Sequence, residues 1–330
     1  MHQPLRLFAD GDILADADVR ATIPPTSTNP LVPMSVPPET ANACLPRVAV
    51  IDVDGILLNT DFTGVGSMGE NPVSLFRERL DQAAGDPGIV AVVVRINSPG
   101  GGVTASDMMW HDLCTFRRQT HLPVIACLLD VGAGGAYYLA TAADQIVAHP
   151  TSVVGGIGVI LNLYNMQDTM AQFNVVGVPI KSGKKIDVGS PVAALEPEDR
   201  QLLQTMADSF HERFRRVVRE ARPGIQPDAA NFDGRVFTAE QALDRGLIDS
   251  VGYLNDAIEM AARAAGRTRA TVTIYHRPED RAASVYAVTP NVPWQNGLIP
   301  ASIPGLDRSR LPTFLYLWQL DPTLEKLGGK

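Results

Sequence analysis

The sequence predicts an α/β fold, on three observations. Residues 89–96 and 123–129 are nearly unbroken apolar runs rich in β-branched side chains, the pattern of strands covered on both faces. Segments of helical period follow such runs, so strand and helix alternate along the chain. Glycine clusters mark the strand-to-helix corners at 97–102 and 132–136, where small residues let the backbone turn sharply.

The elements follow in order. Residues 1–46 read as a disordered or extended arm, because Pro24, Pro25, Pro30, Pro33, Pro37 and Pro38 deprive it of a regular hydrogen-bond ladder. A strand is expected over 48–53, ended by Gly55, and a helix over 72–84 with Leu75, Leu80 and alanines on one face. After the strand at 89–96 and its glycine turn, Thr104 opens a helix, with Asp107 at capping-box spacing. The strand at 123–129 leads to a helix over 137–143 and a short strand over 145–148. A long helix spans 197–221, where Leu202, Met206, Phe210, Phe214 and Val217 recur as a core or subunit-interface stripe. Thr238 is the expected N-cap of a helix over 239–245, which Gly246 closes, and 257–265 is the last helix. The implied division is an arm at 1–46, a principal domain at 47–265 and a C-terminal extension at 266–330. That extension carries Trp294 and then Phe314-Leu315-Tyr316-Leu317-Trp318, whose apolar side chains need a surface. Docking on this domain or a partner subunit is expected, with a membrane surface as the alternative.

Composition excludes several classes. The 330 residues carry a formal net charge of -8, which argues against nucleic-acid binding, since phosphate contacts need clustered Lys and Arg. Three cysteines, Cys44, Cys114 and Cys127, give neither a disulfide framework nor zinc-ligand spacing, so no metal and no cofactor are expected. Asp10, Asp12, Asp16 and Asp18 interrupt the first twenty residues where a secretory signal would be apolar. No stretch approaches the roughly 18 apolar residues that span a bilayer. The expected location is the cytoplasm, with peripheral membrane association left open through the aromatic tail.

The glycine corners carry the chemistry. Asn97-Ser98-Pro99-Gly100-Gly101-Gly102 and Gly132-Ala133-Gly134-Gly135-Ala136 each follow a strand and open a helix. Backbone N–H groups at such corners can face a cleft and hold an anion or an oxyanion. By itself the first corner reads equally well as a tight turn, with Ser98 capping it.

Several motifs together resemble the signal peptide peptidase A (protease IV) family of serine-lysine peptidases. They are Asn97-Ser98-Pro99-Gly100-Gly101, the run Asp130 to Tyr138, and Ala143-Asp144-Gln145-Ile146-Val147-Ala148-His149-Pro150. Lys181-Ser182-Gly183, Asp187-Val188-Gly189-Ser190-Pro191, Gly234-Arg235-Val236-Phe237-Thr238 and Gly246-Leu247-Ile248-Asp249 complete the set. The resemblance covers 47–265. It implies a Clp protease/crotonase-type spiral of β-β-α units, assembly into a ring or dome, and hydrolysis of signal-peptide remnants by a Ser nucleophile with a Lys base.

Against that pattern, the nucleophile position is Gly134, the lysine position is Ile186 and the supporting-serine position is Gly156. Lys185 is a candidate stand-in for the base. His111, His121 and His149 lack the spacing of a triad. The backbone N–H groups of Gly101 and Gly135 remain as an oxyanion-type pair. The preferred reading is a pseudo-peptidase that binds extended peptide or scaffolds a homo-oligomer, in some assemblies with an active paralogue. The alternatives are an active endopeptidase with a displaced dyad, and a crotonase-like acyl-thioester enzyme using Asp130.

Overall fold

The computed structural model describes residues 30–36, 45–60, 70–277 and 314–318. Strands β1 (Val32–Val36), β2 (Arg47–Asp54), β3 (Ile89–Ser98), β5 (Val124–Ala133), β6 (Gln145–Ala148), β7 (Val153–Gly155), β8 (Val236–Thr238), β9 (Ser250–Val251) and β10 (Thr271–His276) make one sheet. Its main path runs β1-β10-β2-β3-β5-β6-β9, with β7 and β8 branching from β5. All pairs along that path are parallel except β1 with β10. A second sheet pairs β4 (Gly100–Gly102) with β11 (Leu315–Leu317).

The central strands are buried on both faces, which is why they read as apolar runs rather than alternating ones. Along β3, Val92, Val94 and Ile96 enter one core and Ala91 and Val93 the other. The first core packs helices α1 (Pro72–Gly85), α2 (Val103–Thr120) and α3 (Gly135–Ala140). The second packs α7 (Leu254–Ala264). Between them in sequence lie α4 (Gln167–Gln172), α5 (Pro197–Ala221) and α6 (Ala239–Asp244).

The branch at β5 creates the site. Residues Ile125 to Leu128 pair with β6, whereas Val131 to Ala133 pair with β7. The strand thus changes partner midway, and its end is aimed at the glycine corner before α3.

Four sequence expectations change. Val32–Val36, inside the Pro-rich arm, forms a strand at the sheet edge, where Pro33 leaves no central ladder bond unmade. Its partner β10 carries the sheet past residue 265. The helix expected from Thr104 starts at Val103 on Gly102, and no side chain caps it. Asp107 is drawn away by tertiary partners, accepting from the Tyr138 hydroxyl at 2.6 Å and from Arg213 Nη2 at 2.6 Å. The stripe on α5 splits: Phe214, Val217 and Val218 are buried, but Leu202 and Met206 are exposed. Trp294 and Cys44 lie outside the described residues.

Candidate active site

Gly134 sits between the end of β5 and α3, at φ 55 and ψ -126. L-residues rarely adopt this backbone, and a strained strand-to-helix turn of this kind is where α/β hydrolases expose a nucleophile. Its N–H donates to Gly155 O at 2.9 Å, so the start of α3 is tied to β7. Gly156 is adjacent: a Cβ placed there would lie 3.1 Å from Gly134 N. The two positions that the resemblance implies for the nucleophile and the supporting serine therefore lie together, both as glycine.

Ile186 is not brought in with them. It lies on an exposed stretch, with 72% of its surface accessible, and its N–H reaches Gly183 O at 3.4 Å. Lys185, considered from the sequence as a substitute base, points instead at the start of α5. Its Nζ pairs with Asp199 Oδ1 at 2.5 Å and Glu198 Oε2 at 2.8 Å. Those hydrogen bonds, Asp199 first, raise its pKa, the opposite of what a general base at neutral pH requires.

The first glycine corner faces the second. Ser98 Oγ accepts from Gly100 N at 3.1 Å and so closes the turn. A Cβ placed on Gly135 would lie 3.4 Å from Gly101 N, which puts the two oxyanion-type corners side by side. Asp130 receives Asn97 Nδ2 at 3.3 Å. Burial pushes the Cys127 thiol up to about 12, so it supplies no thiolate. Among the described residues no group of His, Cys, Asp or Glu could hold a metal ion, and no helix is long and apolar enough to cross a membrane.

The groove between the corners holds β11. Leu315, Tyr316 and Leu317 run antiparallel to Gly102, Gly101 and Gly100, while Leu315 also exchanges hydrogen bonds with Ile160 at 2.9 and 3.0 Å. Val103 N donates to Phe314 O at 3.2 Å and Trp318 N to Pro99 O at 3.0 Å. Those outer bonds make Tyr316 and Gly101 the directly hydrogen-bonded pair of the ladder. The Tyr316 carbonyl lies over Gly134: a Cβ there would overlap its oxygen and sit 2.8 Å from its carbon.

The Tyr316 side chain is fully buried. It stacks on Tyr138 with centroids 5.3 Å apart, lies 4.6 Å from the Phe214 ring, and donates its hydroxyl to Phe210 O at 2.7 Å. This pocket was not visible in the sequence. The signals were separate: an aromatic pair at 137–138, a stripe on a distant helix and an aromatic tail.

A sharp elbow in a mostly parallel α/β sheet thus faces a glycine corner across a groove that holds a β-strand, an arrangement compatible with a peptidase-like frame. By sequence the chain is similar to known peptidases. The profile of peptidase family S49 matches residues 116–268. Protease 4 of Salmonella typhi is 31% identical over 219 residues, 66% of this chain and 34% of that protein. The chloroplastic serine protease SPPA of Arabidopsis thaliana is 34% identical over 177 residues, 53% of this chain and 26% of that protein. The chain thus matches about a third or less of the length of these two relatives. A solved structure, a serine-to-alanine mutant of the membrane-bound stomatin-specific protease 1510-N, is 16% identical, with a TM-score of 0.40 over 64% of this chain and 83% of that one.

Under half of the chain, residues 116–268, thus matches peptidase family S49, and the chain is similar to signal peptide peptidase A and protease 4 proteins; its fold is mixed α/β around a large, mostly parallel sheet.

Proposed function

We propose that this chain is a peptidase-family protein that holds extended peptide in its groove without hydrolysing it. The observation that carries the reading is the elbow itself. Gly134 occupies the nucleophile's strained position and can attack nothing, and Gly156 beside it offers no hydroxyl. A lysine base needs burial to lower its pKa, and Lys185 is exposed and ion-paired. The backbone elements of peptide binding remain, in the glycine edge of β4 and the paired corners at Gly101 and Gly135.

The same reading includes a homo-oligomer. Phe173, Val176, Val178, Ile180 and Ile186 are large apolar residues, all more than two-thirds exposed, on one stretch of chain. A second copy of this chain, or an active paralogue, is the partner that would cover them.

The test is cleavage of a mixed fluorogenic peptide library by the native protein beside the Gly134→Ser, Gly156→Ser, Ile186→Lys triple variant. The native protein is expected to be silent and the variant to cleave. Turnover by the native protein that survives purification to homogeneity and is lost on blocking the groove would overturn the reading.

A further inference from the structure

We infer that Asp54 is a proton-controlled latch on the first glycine corner, closed while its carboxyl is protonated and loosened when it ionises. Such a latch acts on the backbone of the corner whether or not the groove hydrolyses peptide.

Asp54 is the last residue of β2, and the residues after it form the wall behind the corner. Gly55 N donates to Asn97 O at 3.1 Å, Leu57 N to Gly100 O at 2.9 Å, and Gly102 N to Leu57 O at 2.8 Å. A Cβ on Gly101 would lie 2.0 Å from Leu57 O, so the glycine edge of β4 rests directly on this wall. Gly55 is the joint between latch and wall. It stands at φ 70, and among the described residues nothing beyond its chain neighbours lies within 4 Å of a Cβ placed there. Glycine adopts this conformation at no steric cost, so the chain can swing here without a clash.

The charges that face Asp54 come from four elements. Asp52 lies on β2, Arg95 on β3, Asp130 near the end of β5 and Arg79 on α1, with Glu70 beyond Arg79. Both cations are engaged with Asp52: Arg95 Nη2 stands 2.6 Å from its carboxylate, and Arg79 Nη1 donates to its carbonyl at 2.9 Å. An ionised Asp54 is thus a third carboxyl competing for two guanidinium groups. The adjoining cavity, lined in part by Asp52, Asp54, Leu57 and Arg79, measures about 20 Å³. That is room for one water molecule, enough to carry a proton but not to hydrate a carboxylate.

Burial first, then the negative charge of Asp52 and of Asp130, pushes the Asp54 carboxyl up to about 6 against the pull of Arg95 and Arg79. A carboxyl raised in the closed form stabilises that form fully below its ordinary 3.8, and the stabilisation is lost as pH rises through about 6. To ionise, Asp54 must swing toward water. Gly55 turns with it and draws Leu57 off Gly100 and Gly102. The cluster also reaches the second corner: Asn97 donates to Asp130 Oδ2 at 3.3 Å and accepts from Val131 N at 3.2 Å, on the approach to Gly134.

The test is hydrogen exchange of the full-length protein, read by mass spectrometry and corrected for the chemical exchange rate. Segments 55–58 and 100–103 report the corner, and 91–96 in β3 reports opening of the whole fold. With a closed-form value of about 6 and an open-form value near 3.8, protection of the corner should fall about tenfold from about pH 5 to about pH 7 and level off above that. Segment 91–96 should exchange far more slowly throughout. Asp54→Asn, which stays neutral, should keep the corner's protection nearly constant over the same range. Carbon-13 NMR of the wild-type carboxyl needs no variant to fold, and its Asp54 midpoint should coincide with the levelling of the exchange curve. Corner protection independent of pH in the wild type, a pH dependence retained in Asp54→Asn, or an Asp54 midpoint near 3.8 would each overturn the inference. So would corner segments that exchange no faster than 91–96, because the whole fold and not a latch would then be opening.

Discussion

Burial pushes Asp54 up to about 6, helped by the negative charge of Asp52 and of Asp130 and opposed by Arg95 and Arg79. Asp52 itself is raised by burial, although Arg95 Nη2 stands 2.6 Å from its carboxylate. A carboxyl with a folded-state pKa above its ordinary 3.8 binds its proton more tightly in the folded chain. Its contribution to stability is present below that ordinary value and is lost as pH rises through the folded one. Asp54→Asn should therefore gain stability relative to wild type between about pH 4 and about pH 7, measured by urea unfolding at both ends of the window. A constant difference across that window would show that folding leaves the Asp54 pKa unshifted. The buried polar cluster at the ends of β2 and β3 is a residue-scale feature with no periodic trace in the sequence, because each member is individually an ordinary polar residue.

Among the elements, α6 was legible to its first residue. Thr238 Oγ1 accepts from Gln241 N at 3.3 Å and Gln241 Oε1 from Thr238 N at 3.1 Å, a reciprocal capping box. This cap is local chemistry, within four residues, so the sequence carries it completely. The cap joins β8 to α6 and holds β8 against β7, the strand that ties down Gly134 N. Thr238→Ala is expected to lower unfolding free energy by about 1 kcal/mol, read from the denaturation midpoint. A loss far above that would mean that the β7–β8 pair depends on the cap. The supposed cap at Asp107 is the contrasting case. Its spacing is right, but Tyr138 and Arg213 bid for the same carboxylate from elsewhere in the fold, and the tertiary contacts win. Likewise the helical period of α5 was plain, but which part of its stripe meets the core depended on where the neighbouring elements stop.

At the scale of the whole molecule, the described residues gather exposed large apolar side chains on the stretch from Phe173 to Ile186. Sedimentation velocity should show an assembly larger than 35.4 kDa, and Val178→Glu with Ile180→Glu should shift it toward the monomer while leaving the melting temperature of the domain nearly unchanged. A monomer at micromolar concentration in the native protein would remove the argument for a ring or dome.

The amino-acid sequence by itself determined the α/β alternation, the two glycine corners and the family frame. These follow from short-range signals: apolar runs, helical period, caps, and backbone turns that only small residues allow. It also put Gly134 at a corner after a strand, and the resemblance put Ile186 in the same site, whereas the structure leaves Ile186 exposed and apart from it. What only the tertiary structure decided is non-local. Residues 32–36, within the Pro-rich arm, become an edge strand because β10 presents a free ladder. Residues 314–318 find residues 100–102 because those glycines leave a strand's width of open edge over Gly134. An aromatic run announces that it must be buried, but the surface that buries it is assembled from α2, α3 and α5, and no local period specifies which groove that will be.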